Sequence, residues 1–357
     1  MKKIIIILLF ILILPFKISA LETSAECAIL MDQKSKRIMY AKNIHKVKSV
    51  ASISKIMTAI IAIESEKIND KVIIGDEVLS AYGSSIYIKP GEEIILLDLV
   101  YGLMLRSGND AALSIAKYVS GSVDNFVKLM NKKAEEIGIK NTVFNNPSGL
   151  DNETGNYSTA YDMALLTSYA MENELFKKVT GTKRHVVKTN MNTYEWFNKN
   201  KLLFMYEYAT GGKTGFTEKA RRTLVTTASK DNLDLVAVTL NDGNDFYDHQ
   251  KLFEEGFNSY KNYQILKADK INILNETYYK KSFYLKRSFS YPLTEMEVDN
   301  IYLKFELEKK REYQNGDKVG IVKVMLGNES VYEDNVYIGE EKEKKKFNIL
   351  EWLKSLW

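Results

Sequence analysis

Residues 50–65 read VASISKIMTAIIAIES, and this stretch decides the fold. Ile56, Ala59, Ile60 and Ile63 recur at three- and four-residue spacing, which predicts an amphipathic helix with one buried face. Just before it stand Ser52 and Lys55, three residues apart. On a helix, positions i and i+3 share a face, so the serine Oγ and the lysine ammonium meet there. A serine hydroxyl needs a neighbouring base to act as a nucleophile. Lys55 becomes one if burial and a second nearby cation lower its pKa.

Two further short motifs follow in order. Ser107-Gly108-Asn109 interrupts helical periodicity between residues 98–105 and 110–119. Lys213-Thr214-Gly215 lies in TGGKTGF (210–216), directly before the β-branched runs TLVTTAS and LDLVAVTL. Those runs, separated by the polar SKDN, predict antiparallel core strands joined by a hairpin. Each motif alone is weak. Together, in this order and each at a helix start, a helix break or a strand, they are specific. The three histidines, His45, His185 and His249, lie in no nucleophile-elbow setting. A Ser-His-Asp mechanism therefore has little support. No HExxH or Cys/His cluster points to a metal, and no cofactor is expected.

The flanking segments set the organisation. MKKIIIILLFILILPFKISA opens with Lys2 and Lys3, runs through the apolar residues 4–14, and ends in small residues. That is the layout of a signal peptide over 1–20, with cleavage near 20–25. The apolar run is shorter than the roughly 20 residues that span a bilayer. The formal net charge of +4 includes Lys2, Lys3 and Lys17, so about +1 remains after export, and nothing argues for nucleic acid. Cys27 is the single cysteine, so an exported chain has no internal disulfide. Glu26 before it argues against lipid attachment, and Cys27 reads as a buried structural thiol.

Elsewhere, residues 26–42 read as a β-hairpin, 124–137 as a helix stopped at Gly138, and 141–158 as a long loop. Helical patterns return over 160–172 and 248–257. Beyond residue 262 the texture becomes short strands and turns. Ile301, Leu303, Phe305 and Leu307 alternate with polar residues, and Asn315-Gly316 signals a turn. The end, EEKEKKKFNILEWLKSLW, joins a lysine run to an apolar face with Trp352 and Trp357. As a helix, residues 347–357 span only about 16 Å. They read as an amphipathic segment lying in a membrane interface.

The whole resembles the low-molecular-mass penicillin-binding proteins, the penicillin-binding protein 5-like serine-type D-alanyl-D-alanine carboxypeptidases. The residues that carry the resemblance are ASISKIMTA (51–59), GSSIYIKPGE (83–92), LMLRSGNDAA (103–112), FNNPSGLDN (144–152), YSTAYDMA (157–164), GGKTGFTEKA (211–220) and TLVTTA (223–228). It implies an α+β fold: a penicillin-binding/β-lactamase-like transpeptidase domain, with an antiparallel sheet flanked by helices, over 21–260. A small all-β domain over 261–340 and the amphipathic membrane helix over 341–357 then follow. It implies that Ser52 is acylated by the D-Ala-D-Ala carbonyl, that Lys55 takes its proton, and that Ser107 relays a proton to the leaving group. It implies that Asn109 binds the substrate amide, that Lys213 and Thr214 hold the terminal carboxylate, and that Gly215 permits close approach. The backbone N–H groups of Ser52 and Phe216 would form the oxyanion hole. The implied partners are peptidoglycan stem peptides, β-lactam antibiotics and the membrane surface, at the outer face of the cytoplasmic membrane. Two departures stand out: Lys36 and Arg221 occupy positions where relatives often have glycine. Arg221 reads as pointing to solvent. The alternatives are a β-lactamase-like hydrolase and a catalytically weak penicillin- or wall-binding protein. The deacylating Glu-x-x-Leu-Asn loop of the class A β-lactamases is missing, since MENELF (171–176) does not fit it.

Overall fold

The computed structural model describes residues 22–151, 154–274, 276–279, 281–309 and 312–339. The expected leader and the expected C-terminal helix lie outside the described residues. The contacts divide the chain into two units. Among the described residues, the first holds 22–33 with Ile38–Ala228 and Leu235–Gly256, and the second holds the rest.

The first unit is built on a five-stranded antiparallel sheet. In chain order, strands β1 (Cys27–Asp32) and β2 (Ile38–Lys42) come first. The hairpin β3 (Arg184–Lys188) and β4 (Thr193–Phe197) stands apart from that sheet. Strands β5 (Ala209–Thr217), β6 (Arg221–Lys230) and β7 (Leu233–Leu240) complete it, in the spatial order β2-β1-β7-β6-β5. β6 and β7 are joined by Asp231-Asn232, both with positive φ (51° and 62°), the conformation of a two-residue primed hairpin turn. The SKDN signal is thus a turn, as expected.

Seven helices are used below: α1 (Lys55–Glu64), α2 (Leu96–Arg106), α3 (Asn109–Ser120), α4 (Val123–Ile137), α5 (Ala160–Ala170), α6 (Glu174–Gly181) and α7 (Asp245–Ser259). α1 differs from the expectation. Every residue from Lys55 to Ile63 is buried, so the helix is covered on all sides and has no wet face. Its isoleucines pack in one core with Ile29, Leu99, Leu103, Ile115 and Phe126. Each such side chain contributes roughly 1.5–3 kcal/mol on leaving water. α1 is therefore the rigid axis of the unit, and what stands at its start is held still. Gly138 ends α4 with φ 84°, as its position after the apolar pattern predicts.

The second unit carries strands β8 (Lys261–Leu266), β9 (Phe289–Leu293), β10 (Ile301–Leu307), β11 (Lys318–Leu326) and β12 (Glu329–Ile338). β10 alternates between half-buried and exposed residues, as its sequence predicts. Its sheet runs Lys270–Ile271, Phe283–Tyr284, β12, β11, β10, over a core that includes Val319, Val322, Val324 and Val336. Cys27 is fully buried in β1 without a disulfide, and burial raises its thiol pKa.

Candidate active site

Three elements bring the three motifs together. Ser52 lies in a 3-10 turn, Ala51–Ser54, that runs directly into α1 at Lys55. Ser107 caps α2 with a left-handed backbone (φ 64°), and this reversal starts α3 at Asn109. Lys213, Thr214 and Gly215 lie in the edge strand β5.

Lys55 Nζ stands 3.1 Å from Ser52 Oγ and donates to Asn109 Oδ1 at 2.7 Å. It also makes a short contact with the carbonyl of Ser148. The Lys55 side chain is fully buried, as is that of Lys213. Burial, then the charge of Lys213, then that of Lys199, drive the Lys55 pKa far below its ordinary value. Asp110 opposes this, but only as the smallest contribution. Burial and Lys199 lower the Lys213 pKa to about 7. A buried amine next to a hydroxyl, beside a second buried cation, is the environment in which a lysine serves as a base.

Two glycines let the backbones come close. A Cβ on Gly215 would sit 2.4 Å from Thr223 Oγ1 and 3.0 Å from the Ser52 nitrogen. The bare backbone of β5 therefore lies against the turn that carries Ser52. Gly149, with φ 78°, comes closer still, since its Cβ would stand 2.0 Å from the Ala51 carbonyl oxygen. It packs the loop carrying Ser148 onto the same turn. That loop is held by Asn146, whose Oδ1 accepts from the N–H of Ser148 at 3.1 Å and of Gly149 at 2.6 Å.

Ser52, Ser107, Thr214, Gly215 and Phe216 all line one cleft of about 370 Å³. Asn109 and Lys213 support it from beneath, buried at 3% and 1% exposure. Asn109 Oδ1 accepts from Lys55, while its Nδ2 donates to the Tyr82 carbonyl at 2.6 Å. Asp110, next in sequence, accepts from the N–H groups of Ile86 and Tyr87 at 3.0 and 2.7 Å, and so fixes the segment SSIYIKPG.

The D-alanyl-D-alanine carboxypeptidase family matches residues 15–244, and the C-terminal domain of penicillin-binding protein 5 matches 260–344. The chain belongs to the D-alanyl-D-alanine carboxypeptidase family. D-alanyl-D-alanine carboxypeptidase DacF of Bacillus subtilis (strain 168) is 32% identical over 345 residues, 92% of this chain and 88% of that protein. DacC of Escherichia coli (strain K12) is 33% identical over 276 residues, 71% of this chain and 66% of the relative. Among solved structures, penicillin binding protein 5 of Haemophilus influenzae superposes with a TM-score of 0.78, covering 91% of this chain and 99% of that one. At 24% identity it establishes the fold. A Streptomyces K15 DD-transpeptidase variant is 31% identical with a TM-score of 0.63, covering 66% of this chain and 99% of its own. The fold is thus the α+β penicillin-binding fold with a C-terminal sheet domain. As a family member the chain is a serine-type D-alanyl-D-alanine carboxypeptidase, a penicillin-binding hydrolase acting on peptidoglycan.

No histidine lines the cleft. His249 is buried between Thr226 and Thr239, at 2.6 and 3.0 Å, and burial drives its pKa down to about 3. His185 stacks on Tyr101 and meets Asp98 at 2.7 Å. Several cleft residues escape sequence reasoning. Lys199, Lys201, Arg222, Asp245 and Phe246 line it from loops and elements outside the three motifs. The carbonyl of Ser148 has no side-chain signature at all. Arg221 is exposed, as expected, but its neighbour Arg222 faces the cleft.

Proposed function

We propose that Ser52 is the nucleophile and Lys55 its base. The observation that carries this is the 3.1 Å contact between Lys55 Nζ and Ser52 Oγ in a buried setting that disfavours the ammonium. Ser52 Oγ attacks the carbonyl of the penultimate D-alanine, and its proton passes to Lys55. The backbone N–H groups of Ser52 and Phe216 stabilise the oxyanion. Ser107 hands its hydroxyl proton to the departing amine as the C–N bond breaks and takes a proton in turn from the Lys55 ammonium, and free D-alanine leaves. Water then cleaves the ester and restores Ser52. Lys213 and Thr214 bind the terminal carboxylate, and Gly215 admits the substrate along β5. Asn109 offers its second Nδ2 hydrogen to the substrate amide.

The test uses the full chain with a fluorescent penicillin and with a peptide ending in D-Ala-D-Ala. Stable labelling located at Ser52 by mass spectrometry, together with D-alanine release, is the expected result. Rapid penicillin turnover without D-alanine release would favour a β-lactamase. Failure of Ser52→Ala to abolish labelling would overturn the assignment.

We also propose the chain's setting. Residues 1–20 act as an export leader, 21–260 form the catalytic domain and 261–340 the β-rich domain. Residues 341–357 form a helix that holds the enzyme at the outer face of the cytoplasmic membrane. Its support is the basic approach Lys344–Lys346 joined to Trp352 and Trp357. Deleting 341–357 should shift the protein from membrane to soluble fractions, and undiminished membrane retention would refute the tail's role.

A further inference from the structure

Arg222 is the cleft residue that the three motifs leave unexplained. In the β5–β6 register it lies directly opposite Phe216, with Leu224 opposite Thr214. Directly paired residues of antiparallel strands share a face, and diagonal pairs lie within reach of long side chains. Arg222 and Thr214 are such a diagonal pair, and both line the catalytic cleft. The guanidinium is not loose. Its Nε donates to Asp245 Oδ2 at 3.1 Å and its Nη2 to Asp245 Oδ1 at 2.6 Å. It also stands 5.7 Å from the ring centre of Phe246. Asp245 is itself nearly buried, with a side chain 5% exposed against 47% for Arg222, and its Oδ1 accepts from the Phe246 N–H at 2.8 Å. The carboxylate is thus a fixed bracket at the start of α7, and Arg222 and Asp245 both line the cleft.

Arginine carries five N–H groups in a planar fork. Among the described residues Asp245 takes two, so three remain for a ligand. We propose that Arg222, pinned by Asp245, is a specificity-determining residue that reads the free C-terminal carboxylate of the departing D-alanine and so restricts the enzyme to chain ends. This rests on the reading of Ser52, Lys213 and Thr214 given above. Two facts favour a carboxylate over a neutral group. A guanidinium fork matches the two oxygens of a carboxylate in plane. Two of the other cations beside the cleft are less dependable charges at neutral pH: burial lowers the pKa of Lys213 to about 7 and also lowers that of Lys199. A guanidinium is a permanent cation across the range in which an amine of lowered pKa loses its charge. Its pairing with Asp245 restrains the side chain before substrate arrives, so less rotamer freedom is lost on binding.

The test compares two substrates with the same acyl-D-alanyl group on the full chain. One is the peptide acid ending in D-Ala-D-Ala; the other is an activated phenolic ester of the acyl-D-alanine, which has no terminal carboxylate. Arg222→Ala should lower kcat/KM for the acid about 10–100-fold, the size of a lost charged hydrogen bond. The loss should appear chiefly in KM, and the acid-to-ester ratio of kcat/KM should fall by the same factor. Arg222→Lys should recover part of the ratio. Asp245→Asn, which keeps the bracket's shape and drops its charge, should lower the ratio less than Arg222→Ala. Thermal melts of each variant establish that it folds. An equal loss on both substrates, or no loss on the acid, would overturn the proposal. Failure of the wild type to release D-alanine from the acid would instead sink the underlying assignment of the reaction, and hydrolysis of the ester by the same protein tells the two failures apart.

Discussion

Replacing Lys213 by methionine should make the protein more stable at low pH, and the gain should vanish as pH rises. Lys213 is buried at 1% exposure, and its pKa falls from 10.5 to about 7. At 1.36 kcal/mol per tenfold this corresponds to ~5 kcal/mol. The sign follows from proton counting. Between about 7 and 10.5 the unfolded chain binds a proton that the folded chain has lost, so stability rises with pH in that window. Below about 7 both states are protonated and the full burial cost is present; above 10.5 it is gone. Methionine fills similar volume and never charges. Its one direct loss is the hydrogen bond from Nζ to the Thr214 carbonyl at 2.7 Å, about 1 kcal/mol. The variant should therefore gain on the order of 3–4 kcal/mol at pH 6. The difference from wild type should shrink by roughly 2–3 kcal/mol at pH 9. Urea unfolding at several pH values measures it, followed through the fluorescence of the buried Trp196 and through circular dichroism. On the proposed role of Lys213 in holding the terminal carboxylate, the same variant should lose peptide hydrolysis. A stability difference that stays constant between pH 6 and 9, or grows with pH, would refute the reasoning.

Other perturbations test the surrounding packing. Gly149→Ala should cost ~2–4 kcal/mol and abolish penicillin labelling, because φ 78° and a Cβ 2.0 Å from the Ala51 oxygen force the Ser148 loop off the turn that carries Ser52; a melting point and labelling rate equal to wild type would contradict this. Gly215→Ala should slow acylation about 100-fold with a smaller loss of stability, since a displacement near 1 Å has that effect on aligned reactants; stopped-flow penicillin binding measures it. His249, pushed down to about 3, disfavours the fold in acid: stability should fall by up to ~5 kcal/mol as pH drops from 6.5 towards 3, and His249→Gln should flatten that limb in acid titrations. Arg221→Gly should raise stability by ~0.5–1 kcal/mol in denaturant titrations, because Arg221 sits at φ 59° where a side chain is strained.

That last case shows what was legible in the chain and what was not. Lys36 and Arg221 stand out from the sequence only as departures from a family habit of glycine, and both prove to have left-handed backbones, at 62° and 59°. The habit was a conformational requirement. What the sequence does not reveal is which of two adjacent arginines enters the cleft. Neighbouring residues in a strand point to opposite faces, so the answer depends on strand parity, and a local turn at Arg221 resets it. Ser52, Lys55, Ser107, Thr214 and Gly215 were legible because short motifs travel with the elements that carry them. Lys199 and Asp245 were not, because they meet the cleft only through tertiary packing. The Ser148 carbonyl was invisible for another reason, since a backbone acceptor leaves no trace in residue type.

The amphipathic reading of α1 fell short for a reason tied to function. A helix with one wet face would leave its first turn partly solvated, and a lysine there would keep its proton. Full burial from Lys55 to Ile63 withdraws that water. The site carries further costs: Ala51, directly before Ser52, has φ 48°, and Ser107 has φ 64°. Strain at non-glycine residues of about 1–3 kcal/mol each persists only where surrounding structure overdetermines it. Here the surrounding structure is the isoleucine-rich core of α1, which it shares with Leu103 of α2 and Ile115 of α3. The apolar run that first identifies the helix is therefore also what allows two buried lysines and two strained residues to coexist around the cleft that Ser52 lines. Shortening those isoleucines should consequently weaken catalysis before it unfolds the chain, because the strained turns at Ala51 and Ser107 have the least stability to spare.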